Sequence, residues 1–120
     1  MKLLLIDDNT SITTMISKYL TVKGNHQCTV INDGKEGLVQ IKKDNFDVIL
    51  LDLALPKFSG HDLINSLVDD GTIKDYKIIV LSASPMSDTE ATSLMEKGVL
   101  ACLHKPMQLK KLLETIENII

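Results

Sequence analysis

Residues 46–52 read Phe-Asp-Val-Ile-Leu-Leu-Asp, in which the apolar run 48–51 ends on an acidic side chain, Asp52. Continuous runs of this kind are typical of parallel strands that are covered on both faces. Three further apolar runs end in polar side chains in the same way: residues 2–6 before Asp7 and Asp8, residues 77–81 before Ser82, and residues 99–104 before Lys105 and Pro106. We therefore predict that four buried strands each end in a polar functional group.

Segments with the apolar spacing of helices alternate with these strands, and residues 27–31 supply a fifth strand. Strands that alternate with helices of this length indicate βαβ units with right-handed crossovers. The predicted class is α/β, a doubly wound (βα)5 fold with a parallel five-stranded sheet in the flavodoxin-like order 2-1-3-4-5. The predicted strands are 2–6, 27–31, 47–51, 77–81 and 99–104, and the predicted helices are 10–23, 34–43, 61–70, one opening at 87–90 and stopped by Gly98, and 108 to Ile119 or Ile120.

Two helix ends have their own signals. Gly24 follows the first helical pattern and is expected to stop that helix. Residues 87–90 read Ser-Asp-Thr-Glu, which is the pattern of a capping box at the start of the fourth helix.

The length and composition of the chain argue against several classes of protein. With 120 residues we expect one domain, residues 1–120. The net charge of -3 argues against a nucleic-acid-binding surface, and all 13 basic residues are Lys, so no Arg can grip a phosphate in a bidentate fashion. No signal peptide or membrane-length apolar run is visible, and Cys28 and Cys102 are expected to be buried and reduced. Together these features predict a cytoplasmic protein without membrane contact.

The polar groups at the strand ends form a candidate site. In open parallel sheets, ligands bind beyond the carboxyl ends of the strands at the point where strand order reverses, here between the first and third strands. Asp7, Asp8 and Asp52 would then crowd together and repel one another. Mg²⁺ would relieve this repulsion, because it takes oxygen ligands and is usually held by one or two carboxylates together with phosphate. The competing interpretation of the Asp7-Asp8 pair alone is charge that complements a helix N-terminus.

Asp52 is the candidate nucleophile, since a carboxylate beside Mg²⁺ can accept a phosphoryl group as an acyl phosphate. Lys105 precedes Pro106, and a cis bond there would aim its ammonium group inward to a phosphoryl oxygen. Ser82 could donate a hydroxyl hydrogen bond to the same group.

Over essentially its whole length the chain resembles the receiver domains of two-component response regulators. The motifs that carry the resemblance, in their order and spacing, are Asp7-Asp8, Asp52 within Ile-Leu-Leu-Asp-Leu-Ala-Leu-Pro-Lys-Phe-Ser-Gly, Leu81-Ser82-Ala83, and Lys105-Pro106. The resemblance implies that Asp52 accepts a phosphoryl group from the phosphohistidine of a histidine kinase. It also implies that Ser82 and Lys105 contact that group and that Mg²⁺ is the cofactor. The implied metal ligands are Asp8 directly, Asp7 mostly through water, Asp52, and the backbone carbonyl of Ala54.

The resemblance further implies a phosphoacceptor signalling domain that catalyses only its own phosphorylation and dephosphorylation. Its implied partners are a sensor histidine kinase or phosphotransfer protein, and a downstream effector on the face formed by the fourth helix, fifth strand and fifth helix. The chain departs from the family at Cys102 and Met107, where aromatic residues are common. In the family that the chain resembles, the positions of Ala54 and Ser84 tune the lifetime of the phosphoryl group.

Three alternatives stay open from the sequence. One is a phosphatase of the haloacid dehalogenase type, although its second Asp would fall at Ala54 and 120 residues leave no room for a cap domain. Another is a flavodoxin-like cofactor-binding module, although Asp7 and Asp8 would repel a phosphate. The third is a receiver domain excised from a longer regulator.

Overall fold

The computed structural model describes residues 1–119 of the chain and confirms the predicted alternation of strands and helices. The end of the last helix at Ile120, one of two predicted ends, lies outside the described residues. A 3₁₀ turn at Ile73–Asp75 was not predicted. The ten main elements are β1 Lys2–Ile6, α1 Thr10–Gly24, β2 Gln27–Ile31, α2 Gly34–Lys43, β3 Val48–Asp52, α3 Gly60–Asp69, β4 Ile78–Ser82, α4 Asp88–Lys97, β5 Ala101–His104 and α5 Leu109–Ile119.

The five strands form one parallel sheet in the order β2-β1-β3-β4-β5, as predicted. The chain first adds β2 on one side of β1 and then crosses over to place β3 on the other side. Because strand order reverses between β1 and β3, a crevice opens there at the carboxyl ends of the strands.

Helices cover both faces of the sheet, which explains why the central strands are apolar along their whole length. Successive strand residues point to opposite faces. Leu3 and Leu5 pack toward α1 and α5, whereas Leu4 and Ile6 pack toward α2, α3 and α4. Within the described residues, Leu94 is the single residue that α4 buries. Among the described residues, this helix therefore buries fewer residues than any of the other four helices.

The predicted cap at Gly24 is wrong by one residue. Gly24 is the last helical residue of α1, and Asn25 follows it in the left-handed conformation with φ 56°. Asn adopts this conformation more readily than most residues because its short amide can bond locally. The N–H of Asn25 donates to the carbonyl of Leu20, so Asn25 provides the C-cap that the sequence suggested for Gly24.

The predicted capping box at α4 forms only in part. The Ser87 side chain accepts a hydrogen bond from the Glu90 N–H, as expected. The Glu90 carboxylate, however, lies 3.3 Å from Nε2 of His61 at the start of α3. A reciprocal box occurs instead at α3, between Ser59 and Asp62.

Other deviations are small. Strand β5 begins at Ala101 rather than residue 99, and several other ends shift by one residue, which is within the usual uncertainty of element ends. Cys28 and Cys102 are both free and lie on the two edge strands, but they are half-buried rather than buried. No helix among residues 1–119 has the length and apolarity that crossing a bilayer requires.

Candidate functional site

The carboxyl edge of the sheet collects the predicted site residues. Asp7 follows the last residue of β1, Asp52 and Ser82 are the last residues of β3 and β4, and Lys105 follows the last residue of β5. The backbone N–H of Lys105 donates to the Ser82 carbonyl at 2.7 Å, which brings the ends of β4 and β5 together. The parallel sheet thus places residues that are up to 98 positions apart beside one another.

Three carboxylates form an acidic cluster at the reversal of strand order. One oxygen from each of Asp7, Asp8 and Asp52 can be chosen so that all three lie within 4.8 Å of one another. Asp7 is fully buried and Asp52 is 4% exposed, whereas Asp8 is exposed. Because oxygen is the ligand atom that Mg²⁺ prefers, these three residues fit a divalent cation at the mouth of the crevice.

Lys105 contacts the two buried carboxylates of this cluster. Its Nζ lies 2.5 Å from Oδ2 of Asp7 and 3.7 Å from Oδ2 of Asp52. The Lys105-Pro106 peptide bond is cis, as the sequence suggested. The ammonium group therefore neutralises part of the negative charge that the two buried carboxylates carry.

Burial and the neighbouring Asp7 charge together raise the pKa of Asp52. Burial is the larger cause, because it disfavours the ionised carboxylate. The Ala54 N–H, which donates to Oδ1 of Asp52 at 3.2 Å, and the Lys105 ammonium act in the opposite direction. The pKa of Asp52 is raised because burial and the Asp7 charge together outweigh the Ala54 N–H and the Lys105 ammonium group.

The loop after β3 is folded back closely onto the end of that strand. The Gly60 N–H donates to the Leu53 carbonyl at 3.0 Å. A Cβ on Gly60 would lie 2.6 Å from the Asp52 carbonyl oxygen, so only glycine permits this approach. The tight return places Ala54, which is exposed, directly beside the Asp52 carboxylate.

Ser82 is placed at the edge of the cluster but is not bonded to it. Its side chain is 7% exposed, and its hydroxyl donates to the Ser84 carbonyl at 3.1 Å. The structure therefore brings the three carboxylates and Lys105 together, while the Ser82 hydroxyl is engaged with its own loop.

Sequence reasoning missed two residues that hold the cluster. The Asn9 N–H donates to Oδ1 of Asp7 at 3.0 Å, and the Asn9 side chain caps α1 by accepting from the Ile12 N–H. An Asn directly before a helical pattern is a known cap signal that could have identified this residue. The second is Asn32, whose side-chain amide donates to the Asp7 carbonyl at 2.7 Å. No local pattern predicts that bond, because it joins residues on different strands.

The pKa of Asp52 has a consequence for stability. A carboxyl group whose pKa is raised by folding binds protons more tightly in the folded chain, so stability falls as pH rises through that window. We expect Asp52→Asn, without divalent cations, to be more stable than the wild type at pH 7, with no advantage at about pH 4 or below. The expected result is therefore a higher Tm for Asp52→Asn than for the wild type at pH 7 and equal Tm values at the acid end of the range.

Thermal unfolding in a chelator across this pH range measures the effect. Asp69→Asn is the matched control, because Asp69 is exposed at the end of α3, and its Tm should follow the wild type. A lower Tm for Asp52→Asn at pH 7 would show that the Asp52 charge stabilises the cluster instead.

Comparison with known proteins agrees with this geometry. The family model described as "Response regulator receiver domain" matches residues 3–117. The chain belongs to this family. It is thus a receiver domain of the two-component response regulators, and the phosphatase and flavodoxin-like alternatives are not favoured.

Individual relatives and structures point the same way. The chain is 30% identical to the uncharacterized transcriptional regulatory protein YclJ of Bacillus subtilis, over 100% of this chain and 51% of that protein. It is 27% identical to the chemotaxis protein CheY of Pseudomonas aeruginosa, over 99% of this chain and 95% of that protein. The receiver domain of the Francisella response regulator 1452 superimposes with a TM-score of 0.88 at 28% identity, over 98% of this chain and 94% of that one. The chain spans about half the length of several curated relatives it matches.

Proposed function

We propose that this receiver domain accepts a phosphoryl group on Asp52 in a Mg²⁺-dependent reaction. One observation carries the proposal: the buried Asp52 carboxylate at the strand-order reversal lies beside the Asp7-Asp8 pair and 3.7 Å from the Lys105 ammonium group. Such a carboxylate needs cationic neighbours to react with another anion, and this site offers Lys105 and the means to hold a divalent cation.

Each residue of the cluster has a separate role in the proposed phosphoryl transfer. An oxygen of Asp52 attacks the phosphorus of a phosphohistidine, the P–N bond breaks, and its electron pair goes to the imidazole of the donor. Asp7, Asp8, Asp52 and the Ala54 carbonyl would hold Mg²⁺. When bound, the cation neutralises charge on the phosphoryl oxygens.

Lys105 and Ser82 must change partners in this scheme. Lys105 would leave Asp7 for a phosphoryl oxygen, because a cation on the acidic cluster replaces the charge that its ammonium group supplies. The Ser82 hydroxyl would exchange the Ser84 carbonyl for the same phosphoryl group. The second exchange pulls on the loop that leads into α4.

The wider setting is proposed on the same basis. Residues 1–120 would form one receiver domain that catalyses only its own phosphorylation and dephosphorylation. A sensor histidine kinase or phosphotransfer protein would supply the phosphoryl group, and an effector would bind the α4-β5-α5 face. The domain would work in the cytoplasm, where free thiols such as Cys28 and Cys102 stay reduced.

Incubation with Mg²⁺ and acetyl phosphate, followed by intact mass, tests the proposal. We expect one phosphoryl adduct, lost when a chelator removes Mg²⁺ before the donor is added. Absence of any adduct over a range of donor concentrations would refute it.

Ala54 should set the lifetime of the phosphoryl group rather than its uptake. Its methyl group is exposed beside Asp52 and can neither orient nor exclude a water molecule that attacks in line. We therefore expect Ala54→Asn and Ala54→Glu to change the dephosphorylation half-life, in a direction that we leave open, while the yield of adduct stays normal. Unchanged half-lives in both variants would remove this position from the reaction.

The conformational response should begin in the loop from Ala83 to Ser87. Ser82 lies at its start, and α4, which follows it, is attached to the core mainly through Leu94. Cys102 is small and half-buried, so its side chain cannot move between a buried and an exposed position as a bulky aromatic side chain would. Hydrogen exchange with and without beryllofluoride should therefore change most in residues 83–90 and little in residues 100–103. A dominant change in residues 100–103 would place the switch on β5.

A further inference from the structure

Asn32 lies beside the acidic cluster, just beyond the end of the edge strand β2. It is exposed, and its neighbour Asp33 is the residue that caps α2 by accepting from the Glu36 N–H. Asn32 therefore does not cap α2. Its side chain instead reaches across to β1, where its amide donates to the Asp7 carbonyl at 2.7 Å.

This bond completes the attachment of the Asp7 backbone to β2. The Asp7 N–H donates to the Ile31 carbonyl at 3.1 Å, one residue beyond the last paired residues of β1 and β2. The main-chain ladder thus fixes the Asp7 N–H, and the Asn32 amide fixes the Asp7 carbonyl. Because a peptide unit is planar, a fixed Asp7 carbonyl also fixes the N–H and Cα of Asp8.

Asp8 depends on this attachment more than Asp7 does. The Asp7 carboxylate is held by the Asn9 N–H and by Lys105. Within residues 1–119, the exposed Asp8 carboxylate makes no hydrogen bond or ion pair. The backbone therefore sets the direction of the Asp8 Cα–Cβ bond, from which the carboxylate extends toward the cluster.

We propose that Asn32 is a positioning residue for the metal site, acting through the Asp7-Asp8 peptide to aim the Asp8 carboxylate at Asp7 and Asp52. This inference rests on the proposed Mg²⁺ site. Mg²⁺ demands near-ideal octahedral geometry, whereas Ca²⁺ accepts irregular and flexible ligand sets. Loosening Asp8 should therefore weaken Mg²⁺ binding more than Ca²⁺ binding.

Two substitutions remove the donor in different ways. Asn32→Ala deletes the amide, and Asn32→Asp keeps the shape and turn preference but offers only acceptor oxygens. The negative charge added in Asn32→Asp attracts Mg²⁺ and Ca²⁺ alike. A change in the ratio of the Mg²⁺ affinity to the Ca²⁺ affinity therefore reports a change in ligand geometry and not the added charge. Asn65→Ala is the matched control. Asn65 lies in α3, and its side chain accepts a hydrogen bond from Lys97 at the end of α4 rather than from a residue of the acidic cluster.

The experiment is titration of Mg²⁺ and, separately, Ca²⁺ into each 120-residue protein while site amide shifts are followed by NMR. Circular dichroism first establishes that each variant is folded at the working temperature. We expect Asn32→Ala to lose about tenfold in Mg²⁺ affinity, the lower end of the cost of removing an outer partner of a metal ligand. The affinity ratio should shift toward Ca²⁺ in both Asn32 variants and stay at the wild-type value in Asn65→Ala.

The outcomes separate this inference from the proposed function. If the wild type binds Mg²⁺ and both Asn32 variants keep its ratio of affinities, the positioning role is overturned while the metal site stands. If the wild type itself shows no Mg²⁺-dependent shifts, the metal site fails and the positioning role fails with it.

Discussion

Asp52→Asn should take up no phosphoryl group from acetyl phosphate under conditions that give the wild type a single adduct. The substitution keeps the size and hydrogen-bonding shape of the side chain but removes the anionic oxygen that attacks phosphorus. The expected effect is complete loss, because the Asp7 carboxylate is already held by Lys105 and the Asn9 N–H, and Asp8 is exposed rather than buried beside Lys105. Intact mass measures the adduct directly.

The matched control is Asp69→Asn, which makes the same chemical change at an exposed position and should retain the wild-type yield. The stabilisation expected for Asp52→Asn provides a check that the variant is folded. A wild-type yield of adduct in Asp52→Asn would move the nucleophile to another residue.

Asp8→Ala should lose most of the affinity for Mg²⁺. Asp8 is the one exposed carboxylate of the cluster, and it is free of the bonds that tie Asp7 to Asn9 and Lys105. Since removal of an outer partner alone costs about 10–100-fold in metal affinity, removal of a direct ligand should cost about 100-fold or more. Titration of Mg²⁺ followed by amide shifts in NMR gives the two affinities.

An exposed acidic residue away from the site supplies the comparison. Asp69→Ala removes the same charge and should bind Mg²⁺ as the wild type does. If Asp8→Ala also binds with the wild-type affinity, the cation is held without Asp8, and the ligand assignment is wrong.

The fold could be predicted because several strands carry the same apolar pattern and because these strands alternate regularly with helices. Apolar runs such as 48–51 are typical of strands with both faces covered, and their alternation with helices leaves few topologies. Element ends were less predictable, because single side-chain choices decide them. Asn25 rather than Gly24 takes the left-handed cap, and Glu90 turns to His61 instead of closing the box with Ser87.

The sequence predicted correctly those site residues whose neighbours are decided by the position of the backbone in the fold. Asp7, Asp52 and Lys105 meet because parallel strands end at one edge. The sequence could not show that the Ser82 hydroxyl donates to Ser84, since a nearby carbonyl competes with a ligand for the same proton. Nor could it show the bond of Asn32 to Asp7, which spans 25 positions and depends on how two strands and a turn are placed.

Chemical mapping of the phosphoryl group tests the central claim most directly. Borohydride reduces an aspartyl phosphate to homoserine, so treatment after phosphorylation, followed by peptide sequencing by mass spectrometry, identifies the acceptor. The predicted result is homoserine at position 52 in the Mg²⁺-treated wild type and at no position when a chelator is present. Homoserine at position 7 or 8, or a stable phosphate on a Ser, Thr or His side chain with Asp52 intact, would contradict the account.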